Sequence, residues 1–479
     1  MLSMTVLFGL MATPILAPPK TTHPMTPLAT QSPPASPLDT ANAVMGRFRW
    51  TICALVFFAT TINYLDRAVI SLLKPYLETE FRWNSDDYAN IEIAFKLAYA
   101  VGMVGAGRII DKLGTKLGYA LSTALWSLAA MGHALVGSTF GFGIARGFLG
   151  ITEAGNFPAA IKTTAEWFPQ RERALATGIF NSGSNVGAIV APLTVPLIAE
   201  TIGWKWAFLI TGALGFIWLV LWMVYYETPA RHARLSKAEF DYINADIPLG
   251  LPAEGVTEEK PKASWATLLG FRQTWAFVIG KFLTDPVWWF YLFWLPDFLG
   301  KQYHLKGTAI ALPVAGVYIL SSIGSVGGGY LPLGFIKRGM PAFQARKRSM
   351  LIIACCVFPI VFAQWLGQLN MWLAVLVIGI AAAAHQAWSA NIFTTVSDMF
   401  PKRAVGSVTG IGGMAGGLGG IALTALVQKG LFRHYESIGQ IDKAYYIMFF
   451  ICGAAYLLAW VLMFTLVPRM EPIKLAGDE

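Results

Sequence analysis

The residues of this chain with chemical potential lie where charge is least welcome. Asn63-Tyr64-Leu65-Asp66-Arg67, Glu92 with Lys96 and Tyr99, Arg146 with Glu153, Lys281 with Asp285, and His385-Gln386 with Ser389 all sit inside long apolar runs. An unpaired charge in hydrocarbon costs about 2.5–3.5 kcal/mol even on the mildest scale, so such groups are expected to be paired or functional. Arginine keeps its charge and can grip a carboxylate through two parallel hydrogen bonds. Arg67 or Arg146 therefore suits an anion. Desolvation favours the neutral form of a carboxylate, whereas a neighbouring arginine favours the ionised form. An anion arriving at the arginine would compete for that partner, leaving Asp66 or Glu153 readier to hold a proton. Anion and proton would then move together.

Each pair also has a plain packing explanation. Arg146 and Glu153 are seven apart, nearly on one helical face about two turns apart. Glu92/Lys96 and Lys281/Asp285 have i,i+4 spacing and could be neutral salt bridges that lock helices. His385 alone reads as a hydrogen-bonded packing residue; beside Gln386 and Ser389 it forms a polar stripe suited to hydroxyl groups. The aromatic set Trp288, Trp289, Tyr291 and Trp294 reads as lipid-facing or interfacial, with one ring, such as Trp289, placed to stack on a sugar.

These residues need long apolar elements to carry them, and composition supplies them. Of 479 residues, 55% are hydrophobic and 13% charged, about half the ~25% usual in soluble domains. Mean hydropathy is +0.54. No soluble core could hide so much apolar surface, so the chain is expected to be an all-α polytopic membrane protein. Its net charge of +9 lies in short basic clusters between apolar runs, which excludes a nucleic-acid surface. The four cysteines fall inside apolar runs and the six histidines are scattered, so neither a disulfide framework nor a metal site is expected. No nucleophile motif or phosphate loop points to an enzyme.

About 20 residues cross a bilayer as a helix. Twelve runs qualify: 50–73, 88–110, 117–137, 140–164, 174–199, 206–226, 273–299, 308–333, 349–367, 371–397, 405–428 and 442–467. The polar connection 227–272 divides them six and six, giving halves 46–226 and 273–479. Lys and Arg concentrate on the side of both termini and this connection, which assigns all three to the cytoplasm. Residues 1–45 begin with an apolar stretch too short to span and continue as a proline-rich segment. They read as a disordered tail or as a misassigned start, with translation beginning at Met45.

An internal repeat organises the rest. Glu166-Trp-Phe-Pro-Gln-Arg171 follows the fourth run and Asp398-Met-Phe-Pro-Lys-Arg403 follows the tenth, at an offset of 232. The same offset pairs Thr177-Gly178-Ile179 with Thr409-Gly410-Ile411, and Gly187 with Gly419. Six helices repeated in the same direction resemble the parallel halves of major-facilitator transporters, which enclose a midplane cavity opening alternately to each side. Gly107, Asp111, Lys112 and Gly114, in Gly107-Arg-Ile-Ile-Asp-Lys-Leu-Gly-Thr-Lys116, fit that superfamily's loop between runs two and three. Asp111 is placed there to accept from a helix N-terminus or a neighbouring basic group, as a gate latch.

Within the superfamily, Arg146-Gly-Phe-Leu-Gly-Ile-Thr-Glu-Ala-Gly-Asn-Phe-Pro158, Ala165-Glu-Trp-Phe-Pro-Gln-Arg-Glu-Arg173 and Asn63-Tyr-Leu-Asp-Arg67 resemble the anion:cation symporter family. Ala384-His-Gln-Ala-Trp-Ser389 and Lys281-Phe-Leu-Thr-Asp-Pro286 look most like its hexuronate transporters, which import galacturonate and glucuronate with protons. The resemblance covers about residues 47–468. It implies Asp66 and Glu153 as proton-linked carboxylates, and Arg67, Tyr99 and Arg146 in the binding or gating set. Lys96, Asn181, Lys281, Trp289, His385, Gln386 and Ser389 complete the expected substrate contacts. The chain departs from the related aldonate carriers at Ser184, where they have Gln, at Gly412–Gly420, where they have asparagines, and at the additional Lys96.

The expectation is a proton-driven hexuronate symporter of the inner membrane. It would need no cofactor, take a small sugar-acid anion and protons as partners, and work as a monomer. Other organic anions (aldonate, aldarate or aromatic carboxylate), sodium coupling, and a non-transporting receptor on the same fold remain alternatives.

Overall fold

Apolar side chains all round a segment, with no polar stripe to face water, make a helix that is buried in lipid or protein on every side. Most segments here follow that rule. The computed structural model describes residues 46–83, 85–245, 263–305, 311–469 and 471–475. The expectations for residues 1–45 and for 246–262 lie outside the described residues, as does the Trp294 side chain.

The first half comprises α1 (Phe48–Phe81), α2 (Ser85–Leu113), α3 (Thr115–Gly132), α4 (Thr139–Glu153), α5 (Asn156–Trp167), α6 (Gln170–Ile202) and α7 (Trp204–Tyr225). The connection carries the short α8 (Lys237–Ile243) and α9 (Trp265–Leu269). The second half comprises α10 (Arg272–Tyr303), α11 (Ala311–Lys337), α12 (Ala342–Val357), α13 (Ala363–Leu369), α14 (Met371–Met399), α15 (Lys402–Ala425), the short α16 (Arg433–Ser437) and α17 (Ile441–Leu466). No strand occurs among the described residues. The protein is an all-α polytopic membrane protein of twelve spans in two six-helix halves.

Nine helices among the described residues are long and apolar enough by composition alone to cross a membrane. The other three spans each have a local reason to fall short. α3 fills its 18 residues with Lys116 and several Thr, Ser and Gly residues, which lower its mean hydropathy. α10 carries Lys281, Asp285 and many aromatic residues. The fourth span, read from the sequence as one run over 140–164, is broken at Ala154–Gly155 into α4 and α5. Pro158 explains the break: its nitrogen has no hydrogen to donate to the Ala154 carbonyl four residues earlier.

The sequence repeat is also a structural repeat. Phe168 and Pro169 leave the helix at φ −127°, ψ 136° and φ −63°, ψ 154°. Phe400 and Pro401 do so at φ −110°, ψ 143° and φ −62°, ψ 149°. In each half a helix ends at the motif and the next begins after its proline. Gly187 and Gly419 make equivalent crossings: a Cβ would meet the Thr61 carbonyl of α1 in the first case and the Phe282 carbonyl of α10 in the second. The motif acids have diverged. Glu166 accepts from Thr115 Oγ1 at 2.7 Å and from the Tyr226 hydroxyl, within its own half. Asp398 pairs with Arg346 at 2.6 Å in its own half and with Arg173 of the other half at 3.5 Å.

The halves are latched on the face that carries these motifs. Asp111 accepts from the Gly406 and Ser407 amides at the start of α15, at 3.2 and 2.6 Å, and pairs with Lys162 of α5 at 2.9 Å. Gly406 and Ser407 are the fifth and sixth residues of α15, so Asp111 takes amides of its second turn, just past the unsatisfied N–H groups of the first. Gly107 lets α2 and α15 approach closely enough for this, because a Cβ would collide with the Gly406 carbonyl. Gly114 takes φ +81°, a turn that glycine makes without strain. Lys112 is exposed on the same loop.

Candidate functional site

Between the halves lies a cavity of about 340 Å³. Along α1 its lining runs from Tyr64 and Arg67 to Ser71 and Leu72, away from the latched face. All ten residues selected from the sequence as substrate contacts line it: Arg67, Lys96, Tyr99, Arg146, Asn181, Lys281, Trp289, His385, Gln386 and Ser389. Asp66 and Glu153 do not.

The ion pairs cross between helices in a way that spacing along one helix does not suggest. Arg67 bonds to Glu153, with Nε at 3.1 Å and Nη2 at 3.0 Å from Oε2. It also donates to Asn63 Oδ1 at 3.3 Å and lies over the Tyr64, Phe95 and Tyr99 rings. Arg146 does not pair with Glu153. It donates to Glu92 Oε1 at 3.0 Å and to the Arg67 carbonyl at 2.8 Å, so Glu92 joins Arg146 by a salt bridge across helices. Arg146 is 2% exposed, and its Nε and Nη1 have no hydrogen-bond partner among the described residues. A buried guanidinium with unused donors beside a cavity is suited to an anion.

Asp66 and Arg67 are neighbours in sequence but project about 100° apart on the helix. Arg67 reaches the cavity. Asp66 is 2% exposed, and neither carboxylate oxygen has a hydrogen-bond partner among the described residues. Glu153 is fully buried, with Oε2 on Arg67 and Oε1 without a hydrogen-bond partner among the described residues.

The second half supplies a different wall. Lys281 and Asp285 form their i,i+4 pair at 2.7 Å, and Lys281 Nζ lies 4.1 Å from the Phe393 ring centroid. The glycines of α15 let the pair pack tightly, since a Cβ at Gly416 would strike the Asp285 carboxylate. Gln386 bridges the halves by accepting from Asn181 Nδ2 at 2.7 Å and donating to Asn185 Oδ1 at 3.3 Å. His385 stacks on Trp288 with centroids 4.9 Å apart and shares a 2.5 Å hydrogen bond with Tyr456. Lys96 of α2 points over the Trp289 ring at 5.8 Å, across the half boundary.

The Major Facilitator Superfamily profile matches residues 56–424. The chain belongs to the Major Facilitator Superfamily. It is therefore a multi-pass membrane transporter and not an enzyme. Among facilitator relatives, a hexuronate transporter of Escherichia coli K12 is 34% identical over 367 residues, covering 77% of this chain and 84% of that one. A galacturonate transporter of Dickeya chrysanthemi is 35% identical over 289 residues, covering 60% and 83%. The solved structure of the facilitator XylE, a proton:xylose symporter, shares the fold with a TM-score of 0.67 at 16% identity, covering 88% of this chain and 97% of that one.

Several cavity and latch residues of this facilitator escaped the sequence reading as site residues. Glu92 and Asp285 were visible only as partners in presumed local pairs, and Tyr64, Tyr88 and Tyr318 also line the cavity. Lys162 and Arg173 belong to the latches. Lys162 had a signal, being a lone lysine inside an apolar run.

Proposed function

We propose that this transporter is a proton-coupled symporter that carries a hexuronate, galacturonate or glucuronate, into the cell across the inner membrane. The observation that carries the reading is Arg67, which lines the cavity while it is bonded to the buried Glu153 behind it. A sugar-acid carboxylate at Arg67 and Arg146 competes with Glu153 for the guanidinium. Protonation of Glu153 removes that competition, so anion and proton load together. Asp66, buried one residue from Arg67, is the second proton-linked carboxylate. Asn181, Gln386, Ser389 and His385 contact the sugar hydroxyls, with Trp289 stacking on the ring. The names of the hexuronate and galacturonate relatives support this substrate class.

The Lys/Arg bias of the loops supports a cytoplasmic location for both termini. The latched face is then cytoplasmic, and the described conformation opens outward. A monomer as the working unit, with the proton gradient in place of any cofactor as energy source, completes the proposal. Lys281, a cation in the wall opposite Arg67 and Arg146, favours one further reading, a dicarboxylic aldarate held at both ends. Proteoliposomes with an external pH indicator discriminate these readings. Galacturonate or glucuronate should alkalinise the medium on addition, and aldarates should do so less. An aldarate response exceeding the hexuronate response would reverse the substrate assignment.

A further inference from the structure

The break in the fourth span falls directly after Glu153 and is tied down on both sides. On the α4 side, the Thr152 carbonyl accepts from Ser122 Oγ of α3 at 2.7 Å. Gly155 leaves the space for that hydroxyl, since a Cβ there would collide with Ser122. On the α5 side, Asn156 is fully buried and uses both ends of its amide. Its Oδ1 accepts from Tyr119 Oη of α3 at 2.6 Å, and its Nδ2 donates to Thr60 Oγ1 of α1 at 3.4 Å. Tyr119 and Thr60 are also fully buried. Thr60 lies seven residues before Arg67 on α1, about two helical turns.

The two sides of the break face different tasks. α4 carries Arg146 and Glu153. α5 meets the opposite half, where Phe157 stacks on Phe393 at 5.3 Å, and it supplies Lys162 to the Asp111 latch. We propose that Ser122, Tyr119 and Asn156 are positioning residues of the proton step. They hold the α4–α5 break so that Glu153 meets Arg67, and they pass movement of α5 against the other half to that ion pair. This role rests on the proton-coupled reading above.

The charged and titratable groups around Glu153 are Arg67, Asp66 and Tyr64 from α1, Glu92 and Tyr99 from α2, and Arg146 from α4 itself. The α3 contribution is the neutral pair of hydroxyls at Ser122 and Tyr119. Removing either hydroxyl therefore changes the placement of Glu153 without changing the surrounding charge.

The test uses purified full-length protein in liposomes with labelled galacturonate. Tyr119→Phe keeps the ring and is the variant least able to disturb folding; Ser122→Ala and Asn156→Ala accompany it. Each should lower gradient-driven uptake about tenfold, the scale of losing one buried hydrogen bond that positions the reacting group. The pH midpoint of uptake should move by about half a unit or more. Gradient-free exchange of labelled for unlabelled substrate should stay within about twofold, and Ser122→Thr, which keeps the hydroxyl, should restore both readouts. Wild-type uptake that depends on the gradient, with variants matching its midpoint and its driven-to-exchange ratio, would overturn the positioning role alone. Wild-type uptake indifferent to the gradient would overturn the proton reading and this role with it.

Discussion

Arg67 Nη2 lies 3.0 Å from Glu153 Oε2, joining the first span to the fourth at the wall of the central cavity. The pair is enclosed: Glu153 is fully buried, and the guanidinium is held among the Tyr64, Phe95 and Tyr99 rings. Breaking a buried pair by removing one partner strands the other charge, at a typical cost of about 3–5 kcal/mol. Under the proposed symport, substrate and proton divide that cost, one supplying the arginine with a carboxylate and the other neutralising the glutamate.

Glu153→Gln keeps the shape of the side chain and removes its proton chemistry. Gradient-driven accumulation should be abolished while exchange across the membrane persists at a reduced rate. Side-by-side uptake and counterflow assays measure both, and a variant that still accumulates substrate would contradict the assignment.

Arg146→Ala removes the guanidinium whose Nε and Nη1 have no hydrogen-bond partner among the described residues. A charge-assisted hydrogen bond contributes about 1.5–3 kcal/mol, so apparent affinity for hexuronate should fall roughly 10- to 150-fold. Arg146→Lys should recover only part of this, because an ammonium cannot form the bidentate contact. Substrate-dependent thermal stabilisation of the purified variants reads the loss directly.

Asp111→Asn keeps an acceptor for the α15 amides and loses the charge opposite Lys162. The closed face should weaken, and a cysteine introduced near Gly406 should react with a thiol probe several-fold faster than in the parent protein. Unchanged labelling would mean that Asp111 does not hold this face shut. Arg173→Met, which removes the contacts to the Ser397 carbonyl and Asp398, should act in the same direction.

Much of the fold was legible because membrane spans are written in composition. The twelve runs, the offset of 232 and the Asp111 loop were all visible in the residues. The partners were not. Periodicity reports which residues share a face of one helix, so Arg146/Glu153 and Glu92/Lys96 looked like natural pairs. The observed Arg67–Glu153 and Arg146–Glu92 pairs depend on how three helices cross. Pro158 was present as a helix-breaking signal, yet an apolar run passes through it unchanged, and hydropathy does not register a missing N–H. The repeat motif likewise showed Glu166 and Asp398 as equivalents, although among the described residues Asp398 reaches the other half and Glu166 bonds within its own.

Outside the spans, Glu227 tests the electrostatics of the latched face. Burial alone would push its carboxyl up. The hydrogen bonds from Lys116 and the Thr228 amide, with the charges of Lys116 and Arg231, outweigh that and hold it below its usual range. A depressed carboxyl stabilises the fold above its unfolded pKa, and that contribution disappears as pH falls through the folded value. Thermal unfolding of Glu227→Gln should therefore differ from the parent at neutral pH and converge with it in acid. A constant difference across the range would contradict this.

Joint loading of a hexuronate and a proton in one cavity is the proposal on which the other roles depend. Labelled galacturonate uptake into proteoliposomes, with and without an inward proton gradient, tests it most directly. Accumulation above equilibrium should require the gradient and collapse when a protonophore is added. Accumulation of the same size without the gradient, or no hexuronate uptake in either condition, would contradict it.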